Sequence, residues 1–302
     1  MKAVVLYQYG GPERLKYEEV DDPVAGPGEV LVRVASASIN PIDWKMRSGE
    51  EKSLFPVEFP GILGRDVSGI VRSLGEGVTA FAPGDKVFAL ALKTYAELCV
   101  VKASDLAKVP EGLDLIVAGS LPLVTLTGEQ LIRIGTGIQP GQTVLVAGAL
   151  GGVGRSAIRT AKDMGAKVIA GVRERQLDDA VNLHADHVIA LDDENAMAKL
   201  GMLDAVADAV GHETAQKLLS KVAPGGVFAS VLGEPANTAM HPRVRVVVVR
   251  CVPDAPRMIK LAEAVRDKRL EIPIDRMIPL AEAGKGQAAA EEGGIGKVVL
   301  LA

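Results

Sequence analysis

Val144-Leu145-Val146-Ala147-Gly148-Ala149-Leu150-Gly151-Gly152-Val153-Gly154-Arg155-Ser156-Ala157 runs from an apolar strand through a glycine-rich turn into a helix. Without Cβ atoms, the backbone of Gly148, Gly151, Gly152 and Gly154 can come close to a pyrophosphate. The first helical turn, with Val153 in it, then offers unpaired N–H groups and a partial positive charge. The dinucleotide fingerprint is incomplete, because Ala149 stands at its first glycine position while Gly151 and Gly154 fill the other two. An ordinary tight βα turn is the alternative reading. The surroundings favour the phosphate cradle, since strand, turn, helix and the next strand, Lys167–Val172, follow in the required order within about 30 residues.

That second strand bears on the choice of nicotinamide cofactor. NAD-preferring sites usually end it with Asp or Glu, which bonds the ribose 2′-hydroxyl. Here the position is Val172, and Arg173 and Arg175 follow. Removing the carboxylate and adding guanidinium groups suits a 2′-phosphate, held by forked, charge-assisted bonds. NADPH is therefore the expected cofactor. Glu174 argues the other way, and two solvated arginines at a helix start are the alternative.

Outward from the cradle, β and α patterns alternate. Strands are expected at Thr143–Ala147, Lys167–Val172, 205–210 and 226–232, with an amphipathic helix over 155–164. This alternation predicts a parallel sheet with helices on both faces. Residues 116–133 have helical composition interrupted by Pro122. The first 110 or so residues differ in texture: strand candidates at 29–35, 69–74 and 85–90 are each bordered by Gly or Pro, which points to a small all-β module. A last strand, 296–301, closes the chain.

At 302 residues the chain has room for two domains, and 48% apolar against 24% charged residues is the balance of a protein with a substantial core. A net charge of −4, with scattered Lys and Arg, gives no reason to expect nucleic acid or an anionic membrane as partner. Two cysteines, Cys99 and Cys251, cannot build a four-thiolate zinc site, and free buried thiols fit better than a disulfide. The N-terminal residues read directly as a strand, no signal peptide is evident, and no apolar run approaches the roughly 20 residues that span a bilayer. A reducing, cytoplasmic compartment is the expectation.

With these residues in hand, the chain resembles the medium-chain dehydrogenase/reductase superfamily, and within it the zinc-free quinone oxidoreductase (ζ-crystallin-like) group. The motifs that carry the likeness are Gly10-Gly11-Pro12-Glu13, Gly26-Pro27-Gly28-Glu29-Val30-Leu31-Val32-Arg33-Val34, Asn40-Pro41-Ile42-Asp43-Trp44-Lys45 and Pro60 to Gly69. Tyr95-Ala96-Glu97, Leu121-Pro122-Leu123-Val124-Thr125-Leu126-Thr127 and the terminal Gly296-Lys297-Val298-Val299-Leu300 complete it. The resemblance implies a GroES-like, β-rich catalytic domain over 1–115 and 270–302. It also implies a Rossmann doubly wound parallel-sheet domain over 116–269, with the cofactor in the cleft. Zinc-bearing members place Cys where this chain has Asn40, and Gly-His-Glu where it has Gly64-Arg65-Asp66. No metal site is therefore expected. Without a Lewis acid the acceptor must take hydride readily, as quinones and α,β-unsaturated carbonyl compounds (enones) do.

By the same resemblance, Asn40 should lie near the nicotinamide or the acceptor oxygen, and Thr127 should contact the carboxamide. Asp43 and Lys45 are the nearest polar candidates for steadying charge on the reduced oxygen. For Asp43, a structural partner capping the turn is an equal alternative, and Trp44 reads as core. Gly211, Leu232 and Gly233, at the ends of the fourth and fifth Rossmann strands, should line the cofactor groove. Departures from the group include His184, where a glycine is usual, and Leu191, where some relatives carry Tyr. The run 242–250, with four consecutive valines, reads as a late Rossmann strand. In relatives that strand lies at the sheet edge and pairs with its copy, so a homodimer is expected, unless a helix covers it or it is internal. A non-catalytic NADPH-binding protein and a module of a larger reductase system are the rival functional classes.

Overall fold

In the computed structural model, which describes residues 1–294 and 296–302, the turn-rich beginning of the chain forms short strands. These are β1 (Lys2–Leu6), β2 (Leu15–Glu19), β3 (Glu29–Ser38), β4 (Gly61–Ile62), β5 (Asp66–Leu74), β6 (Lys86–Leu90), β7 (Leu98–Lys102) and β8 (Leu106–Lys108). Helix α1 (Pro41–Ser48) follows β3, and the single turn α2 (Leu115–Ala118) follows β8. Helix α3 (Pro122–Gln130) begins at the proline, which fits a first helical position because its missing N–H would be unsatisfied there anyway. The helical stretch read over 116–133, interrupted at Pro122, is two helices, and Pro122 starts the second one.

The sequence continues with β9 (Thr143–Ala147), α4 (Gly152–Asp163), β10 (Lys167–Val172), β11 (His187–Ala190) and α5 (Glu194–Lys199). After them come β12 (Leu203–Asp208), α6 (His212–Leu219), β13 (Val222–Ser230) and β14 (Arg245–Val248). The chain ends with α7 (Ala255–Arg266), β15 (Ile274–Pro279), α8 (Ala283–Glu291) and β16 (Lys297–Leu301). Two units result, one of residues 1–123 with 253–302, the other of residues 124–252. Helix α7 packs on β8 and so groups with the first unit, which moves that boundary N-terminal to the position read from the sequence.

In the first unit β3 is the hub. It pairs antiparallel with β5 along most of its length, with β7 at its first half and with β16 at its end. Two register shifts in the β3–β5 ladder curve the sheet. At this bend Gly69 is required, since a Cβ there would stand 2.1 Å from the Arg33 carbonyl oxygen. The inward residues Val30, Val32, Val34, Val67, Val71, Val87 and Val101 fill the interior, and each buried valine stabilises by about 1.5–3 kcal/mol.

In the second unit every strand pair is parallel and the order is β11-β10-β9-β12-β13-β14. Numbered by appearance this is 3-2-1-4-5-6, a doubly wound order, and the sheet is parallel as the alternation predicted. Both faces are covered. Along β9, Val144 and Val146 join one core with Ile158 of α4, while Leu145 and Ala147 join the other with Leu218 and Phe228. A strand buried on both sides reads as a continuous apolar run for this reason. Strand β14 is the last in the order, at the sheet edge.

Candidate functional site

Strands β10 and β12 leave β9 on opposite sides, so the switch in strand order falls at the C-terminal end of β9. The glycine-rich turn starts there. Gly148 has a left-handed φ of 77°, and the turn closes with Gly151 N–H donating to the Gly148 carbonyl at 3.1 Å. Gly154 packs the helix against it, because a Cβ would come within 2.2 Å of the Gly148 oxygen. Ala149 explains the incomplete fingerprint: its side chain is fully buried in the core, so the methyl group does not enter the cradle. Gly151 precedes α4 and, among the described residues, no side chain caps it. Neither Gly151 nor Gly152 adds a side chain beside the first N–H groups of α4, so these groups could receive an anion. Thr127 is buried on α3, and its neighbour Gly128 packs on the start of α4, where a Cβ would lie 2.3 Å from the Val153 oxygen.

The residues expected to line the groove meet at the ends of β12 and β13. Asp208 is fully buried and accepts from the N–H groups of Val210 and Gly211, both at 3.0 Å, and from Ser230 Oγ at 2.8 Å. Ser230 Oγ in turn accepts from Leu232 N–H at 3.0 Å. This pair fixes both loops and puts Leu232 within 3.0 Å of a Cβ built on Gly211. Gly233 follows with φ 116°. Asp208 and Ser230 were not singled out from the sequence. The available signal was a polar residue ending each of two apolar strands.

At the end of β10, Val172 is buried, while Arg173 and Arg175 are exposed and, among the described residues, hold no ion pair. The short turn carrying them is set by Gln176 Oε1, which accepts from Arg173 N–H, and by Asp192 Oδ1, which accepts from Glu174 N–H at 2.7 Å.

In the first unit a buried polar network surrounds Asn40. Its Nδ2 donates to Asp66 Oδ2 at 2.8 Å and to the Ser38 carbonyl at 3.3 Å. Its Oδ1 accepts from Lys297 Nζ at 2.6 Å. Asp66 also accepts from Ser38 Oγ and from Leu123 N–H, at 2.6 and 2.7 Å. Asp43 Oδ2 takes the backbone N–H of Asn40 at 2.8 Å and the Tyr95 hydroxyl at 2.9 Å. Its Oδ1 is buried with no partner among the described residues. Burial pushes the Asp43 carboxyl up to about 6, against the opposing pull of the Asn40 and Tyr95 hydrogen bonds. Lys45 does not join this network; its ammonium pairs with Glu50 at 2.9 Å. Trp44 packs against the core of this unit, as its composition suggested. Sequence reading missed Lys297 and Tyr95 as partners, because they lie far along the chain from Asn40.

Residues 26–111 match the alcohol dehydrogenase GroES-like domain, and residues 183–300 match the family described as zinc-binding dehydrogenase. A chloroplastic quinone-oxidoreductase of Triphysaria versicolor is 30% identical, covering 99% of this chain and 98% of its own. A 2-haloacrylate reductase of a Burkholderia species is also 30% identical, over 76% of this chain and 72% of its own. Among solved structures, a mycobacterial protein complexed with NADPH superimposes with a TM-score of 0.88 at 28% identity, over the whole of both chains.

Proposed function

Because this chain belongs to the quinone oxidoreductase group of the medium-chain dehydrogenase/reductase superfamily, we propose that it reduces quinones or α,β-unsaturated carbonyl compounds with NADPH, without zinc. It is an oxidoreductase. The observation that carries the cofactor assignment is the uncapped start of α4, packed at backbone distance on the Gly148 turn. Gly148, Gly151, Gly152, Val153 and Gly154 would hold the pyrophosphate, and Gly211, Leu232 and Gly233 would line the groove beside it. Arg173 and Arg175 would hold the 2′-phosphate, and Thr127 the carboxamide. NADPH supplies the hydride when bound, and the protein orients it and excludes water.

Asn40 is the residue we assign to the acceptor oxygen or nicotinamide. Asp43 supports it through the backbone N–H, which makes Asp43 an orienting group in this reading. Lys45, turned to Glu50, is the weakest of the three candidates. The zinc-free assignment draws on Asn40 and Arg65-Asp66 at the positions of the metal ligands in zinc-bearing members. A buried ammonium beside them, at 2.6 Å from Asn40 Oδ1, supports it too, since a fixed cation repels a second one. A homodimer is part of the same reading, supported by the open edge at β14. So is a cytoplasmic location, supported by Cys99, which is buried outside any disulfide and whose thiol burial pushes up to about 12.

Steady-state oxidation of NADPH with a benzoquinone, an alkenal and, in reverse, a simple alcohol tests the proposal. Turnover with the quinone or alkenal, unaffected by a chelator, is expected. Tight NADPH binding with no turnover of any acceptor would instead make this a cofactor-binding protein. Loss of activity to the chelator would remove the zinc-free assignment.

A further inference from the structure

We propose that Lys297 is a positioning residue for this reduction: together with Asp66 it dictates which way the Asn40 amide points. The inference rests on the assignment of Asn40 to the reacting groups. A primary amide is nearly symmetric in shape, so packing alone does not distinguish its two orientations. Charge does. Lys297 can only donate, so the atom 2.6 Å from its Nζ must be Oδ1. The Asp66 carboxylate only accepts, so the atom 2.8 Å from its Oδ2 must be Nδ2. A flipped amide would set NH₂ against an ammonium and oxygen against a carboxylate at once, two buried mismatches.

The rest of the arrangement serves this pair. Lys297 Nζ also donates to the Ile39 carbonyl at 2.8 Å and lies 3.8 Å from Asp66 Oδ2. Burial lowers its affinity for the proton, and the Asp66 and Asp43 carboxylates oppose that. The ammonium arrives through strand pairing: Ile39 N–H bonds the Val298 carbonyl at 2.9 Å, and Val299 faces Ser38. A buried ion pair is a poor source of net stability compared with apolar packing, so a fixed amide orientation is a use for it that stability does not supply. Of the two Asn40 N–H bonds, the one to Ser38 is the long one, at 3.3 Å, and is the bond most easily exchanged for another oxygen.

The test is a double-mutant cycle on kcat with a quinone, using Asn40→Ala, Lys297→Met and the two together. Misplacing a reacting group can cost on the order of 10²-fold in rate, and we expect that loss for Lys297→Met with the KM for NADPH unchanged. Lys297→Met should then cost nothing further in the Asn40→Ala protein. Independent losses that multiply, or a raised KM with kcat intact, would overturn the role of Lys297 alone. An unchanged kcat in Asn40→Ala would overturn both it and the assignment of Asn40. A second readout needs no activity. The urea midpoint of Lys297→Met should lie below that of Lys297→Met with Asp66→Asn, because the single change strands a buried carboxylate and the double change removes it. Equal midpoints would show that Lys297 and Asp66 are not coupled. The double variant also carries the kinetic comparison where Lys297→Met fails to fold.

Discussion

At the scale of single residues, burial sets the chemistry of Asp43 and exposure that of Arg173 and Arg175. The folded carboxyl at about 6 lies above the ordinary 3.8, so the native state holds the proton more tightly than the unfolded chain. Its contribution to stability is therefore fully present below pH 3.8 and is lost as pH rises through 6, a change of roughly 3 kcal/mol. Asp43→Asn should remove that part of the slope, which urea unfolding between pH 4 and 8 measures. An unaltered slope would mean the carboxyl is solvated after all. Arg173 and Arg175 stand exposed at the end of β10, and each charge-assisted bond to phosphate contributes about 1.5–3 kcal/mol. Replacing both with Ala should narrow the NADPH over NADH preference by at least the worth of one such bond, on the order of 10- to 150-fold. A variant that keeps the native ratio places the phosphate elsewhere. His184 belongs to this scale as well. Its φ of 55° is left-handed, which accounts for the glycine usual at that position in relatives and makes the histidine a tolerated departure.

At the scale of elements, the junction of β9 and α4 is a packing joint and, in the proposed reading, also the cofactor-binding surface. Its glycine-rich turn was legible because the requirement is local: an apolar strand, a tight turn and a helix, in one stretch of sequence. Gly154→Ala should damage both roles, since the new methyl would press on backbone that cannot swing aside. We expect a loss of about 1–3 kcal/mol in unfolding free energy together with weaker NADPH binding by fluorescence titration. Native stability in that variant would show that α4 can shift away from the turn. Helix α1 teaches the opposite lesson about legibility. Asn40 and Asp43 stand three residues apart at its start and meet there, whereas Lys45 turns to Glu50, and the side-chain directions that separate them are not read from spacing alone.

At the scale of the whole molecule, the proposed dimer rests on the edge strand β14. Val249 N–H donates to Ser230 at 2.8 Å, and N–H groups alternate along a strand, so Val247 also faces β13 while Val246 and Val248 present theirs to the open edge. Val246→Pro would delete an outward donor at little cost to the parent sheet. Sedimentation should then show a dimer in the unmodified protein and a monomer in the variant. An unmodified protein that is monomeric at micromolar concentration would defeat the dimer.

The order of strands and helices in the second unit, the glycine-rich turn after β9 and the exposed arginines after β10 were determined by the sequence itself, because each depends on neighbours within about 30 residues and on hydrophobic periodicity. Only the tertiary structure decided how Asn40 is held. Its partners Asp66 and Lys297 come from 26 and 257 residues away, brought in by the pairing of β3 with β5 and β16. No periodicity marks such residues, since a charged side chain at the start of a strand reads as solvated until the fold buries it. The same holds for Asp208 and Ser230, whose carboxylate and hydroxyl become a loop clamp only when β12 and β13 lie side by side.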